Sequence, residues 1–341
     1  MALSNREKEQ YIKRAAIFAT EISEGKTVPD IVNSKEYHYD GIPNKLFKYC
    51  RVNKNSISAI REQYWWISDI GSLDDQFETT VQYVKNPDLL ERAGLEEELT
   101  DYVIDRLSNG NPAIKHLYKE MKKQLPNGFD LNLLAEKTQR LAKDEKEREK
   151  LSSIKSLFNN DEFIKANEAL LGMIIGLDKE IGLCSLSETN KSQIMWQMYG
   201  NNYKGIVIEY DLTNLNTETK FSLIPVIYSD SRNADPLKLY IDLMLDAPEK
   251  TKKHSIRSLF EWILRVISTK NNEWELQKEW RLIGKPNTRF AAAPISAVYI
   301  GKKIAKTNRE KILRLARKKH FKVYEQSENY EKMVIQYNQV L

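Results

Sequence analysis

Short apolar segments with strand-like composition constrain this fold most. Runs rich in β-branched and aromatic residues recur through the second half of the chain, and long helical patterns separate only some of them. A regular βα alternation is therefore excluded, and an α+β fold with a mixed, mainly antiparallel sheet is predicted. The segments are IGLCSLSE, KGIVIEYDL, LIPVIYSD, EWRLIG, ISAVYIG, HFKVYEQ and KMVIQYN.

The first half predicts one long helix and one compact β-α-β unit. Apolar residues recur at helical spacing up to Gly25, where the first helix should end. After a loop, the composition of KLFKYCRV and YWWISD predicts two strands. The segment NKNSISAIREQ between them predicts a helix, which Asn53 or Asn55 would cap.

The region from 80 to 181 has almost no strand pattern. Its charge-rich run EKTQRLAKDEKEREKLSSIKSLF is typical of a solvated helix face. We therefore expect residues 80–181 to form a large helical insertion. The predicted organisation is an N-terminal helix and loop at 1–44, followed by a single α+β domain at 45–341 that contains this insertion.

Composition favours a folded, cytoplasmic protein. Hydrophobic residues make up 41% of the 341 residues and charged residues 30%, which argues against wholesale disorder. The chain has two cysteines, an N-terminus without an apolar signal core and no apolar run long enough for a membrane helix. We expect a reducing compartment and no membrane partner.

Familiar catalytic signatures are missing from the sequence. It contains neither a phosphate-binding glycine loop nor a Gly-x-Ser-x-Gly nucleophile elbow. The four histidines lack the spacing of zinc ligands, and Cys184 is expected to be a small buried strand residue. No metal site is predicted.

The stretch WELQKEWRLIG carries charge where a buried strand would exclude it. On a strand, Gln277, Glu279 and Arg281 would project to one face, because side chains alternate with a period of two. Such a polar face is costly in a core unless its members are paired. Two explanations remain open: an ionic ladder that pairs Arg281 with Asp75 or Glu78, or a face that lines a cleft.

Four ordered motifs resemble a widespread bacterial family of unknown function. Members of that family are similar to this chain in a Lys-Tyr strand, an Asn-Asp-x-Phe-Glu turn, a Ser-Glu strand before Met-Trp-x-x-Tyr and Lys-Gly, and a Glu-x-Arg strand. The matching segments are LFKYCRVNKNSISAI, WWISDIGSLDDQFE, CSLSETNKSQIMWQMYGNNYKGIVIEYD and EWELQKEWRLIG.

The order of these parts also resembles that of ADP-ribosyltransferases. That class carries a basic residue on an early strand, a Ser-x-Ser strand and a later Gln-x-Glu pair. Lys48 or Arg51 would match the basic residue, and Gln277 with Glu279 would match the pair. The Ser-x-Ser strand would be Ser185-Leu186-Ser187.

The resemblance implies a role for each matching residue. Glu279 would stabilise the positive charge that develops on the ribose of NAD, while Gln277 would face the acceptor. Ser185 and Ser187 would hold the carboxylate and the ribose. The expected remaining cofactor-binding residues are cations for the phosphates and aromatic rings for the nicotinamide, namely Lys48, Arg51, Arg281, Tyr49, Trp196 and Tyr199.

Three smaller features have alternative interpretations. The turn DDQFE would hold a divalent cation or, more simply, cap a helix through Asp74 or Asp75 with Glu78. The segment MWQMY would be the core face of a short helix. Gly205, at the start of the next strand, would either meet a turn requirement or let another backbone or a ligand approach closely.

Two functions follow from these patterns. The first is an NAD-consuming ADP-ribosyltransferase-like enzyme that modifies a protein or a nucleic acid, in the manner of toxins and phage-defence effectors. The second is a non-catalytic binding or regulatory module that contacts nucleic acid through the basic segment 302–322.

Overall fold

The computed structural model describes residues 3–32, 41–72, 112–124, 179–230, 252–329 and 331–341, together with isolated positions between 136 and 176. The chain divides into two compact units. The first comprises residues 1–78, 178–231 and 268–341, and the second comprises residues 79–177 and 232–267.

The first unit contains the β-sheet. Its strands are β1 (Lys45–Cys50), β2 (Tyr64–Asp69), β3 (Gly182–Ser187), β4 (Ile206–Asp211), β5 (Leu223–Pro225), β6 (Ile227–Tyr228), β7 (Thr269–Lys270), β8 (Glu279–Gly284), β9 (Thr288–Ala291), β10 (Ile295–Ile300), β11 (Lys322–Asn329) and β12 (Val334–Gln339). The described helices of the chain are α1 (Asn5–Ser23), α2 (Val28–Val32), α3 (Lys54–Glu62), α4 (Pro112–Gln124), α5 (Gln193–Met198), α6 (Thr217–Ser222), α7 (Lys252–Ser268) and α8 (Lys306–Lys319).

The main sheet is mixed and mainly antiparallel, which confirms the predicted α+β class. Its order is β12-β11-β10-β4-β1-β3-β2-β9, with β8 added to β3 and β5 added to β8. Among the described strands of this sheet, β10 and β11 alone pair in parallel, and α8 connects them. A separate parallel ribbon joins β6 to β7.

The sheet branches around β3. Strand β8 pairs with β3 over its full length, whereas the opposite edge of β3 is shared between two strands. On that edge, β2 pairs near Gly182 and β1 pairs only where Phe47 lies opposite Ser187. Because β1 pairs fully with β4 on its other side, it diverges from β3 and leaves a gap beside Ser185.

Alternating side chains place a separate apolar cluster on each face of the sheet. One face contributes Leu46, Leu186 and Trp280 to the larger core, where Trp280 meets the Tyr11 ring of α1 edge-on at 5.4 Å. The other face carries a more aromatic cluster, which consists of Phe47, Tyr49, Met195, Trp196, Val207, Ala297, Tyr299 and Ile335. Both faces of the central strands are therefore covered, at least in part.

Local sequence signals explain the β1-α3-β2 unit. Asn53 caps α3, and its side chain accepts from the backbone N–H of Ser56 at 2.9 Å, so the cap is Asn53 and not Asn55. The helix ends at Gln63, whose φ of 55° is left-handed. The predicted strand YWWISD coincides with β2.

Other elements differ from the sequence predictions. The predicted single strand LIPVIYSD is two short strands, β5 and β6, and the strands β7 and β9 were not predicted. Such short edge strands lack the apolar alternation on which a sequence prediction depends. The predicted helix PLKLYIDLMLDA and most of 80–181 lie outside the described residues.

The second unit is described mainly through α4 and α7. Both helices are amphipathic, and α7 buries Trp262 and Val266 on one side. Where the chain is described, it contains no helix whose length and apolar character would let it cross a membrane.

Neighbouring backbone lies so close to position 205 that only glycine fits there. A Cβ at this position would lie 2.4 Å from the carbonyl oxygen of Cys50 and 2.8 Å from that of Gly200. These neighbours are backbone atoms and cannot rotate away. Of the two explanations that the sequence left open, the structure supports the close approach.

Replacing Gly205 with alanine should lower the free energy of unfolding by about 1–3 kcal/mol, because the added methyl group must displace backbone. Gly71→Ala is the matched control, since among the described residues its Cβ would meet Asp69 Oδ1 alone, at 3.4 Å, and it should change stability by less than about 0.5 kcal/mol. Urea unfolding measures both. Equal stability of Gly205→Ala and wild type would contradict the close-packing explanation.

Candidate functional site

A buried carboxylate forms the centre of the candidate site. Glu279 is the first residue of β8, and its side chain lies between two cations. Arg281 Nε donates to Glu279 Oε1 at 3.0 Å, and Lys270 Nζ donates to Glu279 Oε2 at 3.1 Å. The exposed fractions are 5% for Glu279, 0% for Arg281 and 6% for Lys270. The charges are therefore paired within the protein and not by solvent.

This environment keeps Glu279 ionised. Burial raises the pKa of the carboxyl group, but Arg281 and Lys270 more than offset that effect. A hydrogen bond from Ser185 lowers the pKa further, and the net result is a pKa well below the usual glutamate value. The carboxylate is thus suited to hold positive charge and is a poor proton acceptor at neutral pH.

Gln277 reaches the site from outside the strand. The prediction that it shares a strand with Glu279 is wrong, because Gln277 ends a 3₁₀ turn (Asn272–Gln277) and β8 begins two residues later. Lys278 between them has a left-handed φ of 44°. The two side chains nevertheless meet, since Lys270 Nζ donates to Gln277 Oε1 at 2.9 Å as well as to Glu279.

The serines of β3 lie across from the charged residues. In the β3–β8 register, Ser185 is opposite Arg281 and Ser187 is opposite Glu279. The Ser187 hydroxyl donates to the Gln277 carbonyl oxygen at 2.7 Å and so anchors the 3₁₀ turn. Both serines, which the sequence pattern selected, therefore lie next to the predicted Gln-x-Glu pair.

A cavity of about 340 Å³ opens beside the carboxylate, on the aromatic face of the sheet. It lies where β1 diverges from β3. Lys48 spans that gap, because its ammonium group donates to the Ser185 carbonyl oxygen at 2.9 Å. The described residues that line the cavity are Phe47, Lys48, Tyr49, Ser68, Leu183, Ser185, Leu186, Ser187, Met195, Met198, Tyr199, Lys270, Trp274, Gln277 and Glu279.

Two tyrosines line this cavity. The Tyr199 hydroxyl accepts from Gln277 Nε2 at 3.0 Å, which links α5 to the 3₁₀ turn. The Tyr49 hydroxyl is buried beside the backbone N–H of Ser192, but it completes no hydrogen bond among the described residues. Burial raises the pKa of Tyr49, so the group is a neutral donor.

Most of the predicted site residues converge here, and three do not. The cavity brings together Glu279, Gln277, Ser185, Ser187, Lys48, Tyr49 and Tyr199. Arg281 lies beneath Glu279, fully buried, and does not line the cavity. Trp196 is also fully buried, and its indole N–H donates to the carbonyl oxygen of Asn190 at 2.9 Å. Arg51 lies beyond the end of β1 and lines a different cavity.

The structure adds two residues that the sequence did not indicate. Lys270 lies nine positions before Glu279, in an unremarkable polar stretch, and only the tertiary fold brings its ammonium group to the carboxylate. Trp274 also lines the cavity, and Lys270 Nζ lies 5.1 Å from the centre of its ring. For Trp274, the sequence offered one signal, which was a tryptophan in an otherwise polar segment.

The alternative interpretations are settled only in part. Arg281 forms an ion pair with Glu279 on its own strand. Asp75 and Glu78, and the cation site or cap proposed for DDQFE, lie outside the described residues. In the described ranges, no cluster of three or more His, Cys, Asp or Glu residues is placed to hold a metal ion.

Comparison with known proteins finds that part of the chain is similar to a family model. Residues 195–282 match the model of a family described as protein of unknown function (DUF2971), which confirms the resemblance to an uncharacterised family. The matched segment holds Tyr199, Lys270, Gln277, Glu279 and Arg281. No curated protein matches the chain, and no solved structure does.

The ionised state of Glu279 predicts a pH-dependent difference in stability. Glu279→Gln should cost about 3–5 kcal/mol at neutral pH, because it removes a buried carboxylate that accepts from both Arg281 and Lys270. A carboxyl group with a lowered pKa in the folded state contributes stability above its unfolded pKa of about 4.3 and loses it as the pH falls further. The wild type should therefore approach Glu279→Gln in stability below that pH.

Urea unfolding between neutral and acidic pH measures this difference. Other carboxyl groups titrate equally in both proteins, so they cancel. Glu273→Gln is the control, because it removes the same charge from an exposed position on the neighbouring 3₁₀ turn. A gap between wild type and Glu279→Gln that stays constant with pH would rule out a lowered pKa.

Proposed function

We propose that the cavity binds NAD and that the protein is an ADP-ribosyltransferase-like enzyme. The observation that carries this proposal is the position of Glu279: an ionised carboxylate in the wall of a cavity, with Gln277 and Ser185 beside it. A cavity of about 340 Å³ is within the range of small-molecule sites. It would enclose the nicotinamide and its ribose.

The chemistry of NAD cleavage matches the groups present. The bond between ribose C1′ and the nicotinamide nitrogen breaks, and its electron pair stays on nicotinamide. An acceptor oxygen or nitrogen then bonds to C1′ and releases a proton. Positive charge develops on the ribose meanwhile, and the Glu279 carboxylate would stabilise it while accepting a hydrogen bond from a ribose hydroxyl.

The cations of the wall give the diphosphate of NAD a place to bind. Lys48 and Lys270 both line the cavity. Lys270 now divides its hydrogen bonds between Gln277 and Glu279, so a diphosphate would compete for it. Transfer of Lys270 to the diphosphate would leave Glu279 with Arg281 alone and strengthen its attraction for the developing charge.

Aromatic side chains would hold the nicotinamide. Phe47, Tyr49 and Trp274 offer ring surfaces in the cavity. Gln277 would face the acceptor, as it does in the class that the sequence resembles. The acceptor would be a protein or a nucleic acid, and a role as a toxin or a phage-defence effector belongs to this proposal.

The alternative function is a binding module that uses the basic segment 302–322. Helix α8 buries Ile312 and Ala316, while Lys311, Arg314 and Arg317 are exposed along its outer side. Such a surface favours contact with phosphates. Part of the segment's charge is used internally, since Arg309 pairs with Glu325 and Lys302 with Glu328.

Release of nicotinamide from NAD tests the proposed enzyme. The wild type should be stabilised by NAD in a thermal shift assay and should release nicotinamide, and Glu279→Gln should release it at least about 100-fold more slowly. Glu273→Gln should match the wild type. Because Glu279→Gln can lose stability, Glu279→Asp serves as a second variant, and both are assayed below their melting temperatures.

Absence of both stabilisation and nicotinamide release in the wild type would contradict the proposal. If the protein then bound DNA or RNA with an affinity that falls steeply with salt, and charge removal on α8 weakened that binding, the alternative function would replace it.

A further inference from the structure

A second cavity, of about 370 Å³, is separate from the Glu279 cavity. It occupies the space between the end of β1, the start of α3 and strand β2. Lys48 lines both cavities because it spans the gap between β1 and β3. The described lining residues are Lys48, Cys50, Arg51, Asn53, Asn55, Ser56, Ala59, Tyr64, Trp65, Trp66, Cys184, Ile208, Tyr210 and Arg289.

The charge of this cavity favours an anion. Three cationic side chains, Lys48, Arg51 and Arg289, line it, and none of its described lining residues is acidic. Arg289 is held in place: its guanidinium group lies 4.4 Å from the centre of the Tyr64 ring, and its Nη1 donates to Glu62 Oε2 at 2.6 Å. The N–H groups of this guanidinium that do not contact Glu62 would donate to a phosphate.

Backbone donors from α3 add to this preference. The first turn of this nine-residue helix lines the cavity through Asn55 and Ser56. The N–H of Ser56 is taken by the Asn53 side chain, whereas those of Lys54 and Asn55 meet no acceptor among the described residues. Free N–H groups and the helix dipole both favour a bound anion at this end.

Aromatic side chains complete the cavity. Trp66 is 47% exposed although it lines the cavity, and it pairs across the strands with Arg289. Trp65 is only 1% exposed, and its buried indole N–H lies near the Tyr210 hydroxyl without completing a hydrogen bond. The exposed ring of Trp66 is suited to stack on a planar ring.

We propose that this second cavity binds a nucleoside phosphate. The base would stack on Trp66, and the phosphate would bind between Arg51, Arg289 and the start of α3. The ligand would be either a free nucleotide or the phosphorylated end of a nucleic acid, which share this chemistry. This proposal uses residues other than Glu279 and Gln277 and goes beyond the proposed enzymatic activity.

Titration of the full-length protein with AMP, by calorimetry, tests the second site. AMP should bind, and each of Arg51→Gln, Arg289→Gln and Trp66→Ala should weaken binding by about tenfold or more. Arg6→Gln is the control, because it removes one exposed arginine charge from α1 and should leave AMP binding unchanged. Ribose 5-phosphate should bind more weakly than AMP, and Trp66→Ala should not alter its affinity.

Two further experiments are needed. The first identifies the source of the ligand, and the second distinguishes this proposal from the proposed NAD cleavage. Competition by a 5′-phosphorylated single-stranded oligonucleotide would identify a nucleic-acid end as the source, and competition by free nucleotides alone would identify a metabolite. Glu279→Gln should bind AMP as the wild type does, so failure of NAD cleavage leaves this test intact. Absence of AMP binding, or AMP binding that Arg51→Gln and Trp66→Ala leave unchanged, would overturn the proposal.

Discussion

The ion network of Glu279 with Arg281 and Lys270 is the interaction on which the candidate site depends. Each of these charges would be costly if buried alone, and together they satisfy one another over distances of 3.0–3.1 Å. The network also positions Gln277, because Lys270 joins it to the carboxylate. Replacing such a cluster with apolar residues is often neutral for stability, so its presence beside a cavity favours a function beyond packing.

The branching of the sheet creates the space that this network faces. Strand β3 cannot pair with β1 and β2 along the same stretch of edge, so β1 leaves it after the single pair Phe47–Ser187. The freed Ser185 carbonyl then needs a donor, and Lys48 supplies it. One topological feature thus produces both cavities and places a lysine between them.

Local patterns predicted the elements better than they predicted the contacts. The unit from β1 to β2 was predictable because the Asn53 cap and the alternating aromatic residues act within a few positions of one another. Glu279 was identified because a charge on an apolar strand is visible in sequence. Lys270 was missed because its contact depends on the tertiary fold, and Arg51 was expected in the wrong cavity because the chain turns away after Cys50.

A crystal structure of the protein with an NAD analogue that cannot be cleaved tests the central claim most directly. We expect the nicotinamide ribose to lie within hydrogen-bonding distance of the Glu279 carboxylate, and Lys270 to have moved from Glu279 to the diphosphate. An analogue bound elsewhere, or an empty cavity at a saturating concentration of the analogue, would contradict the claim. Glu279 would then be the centre of a structural ion network only.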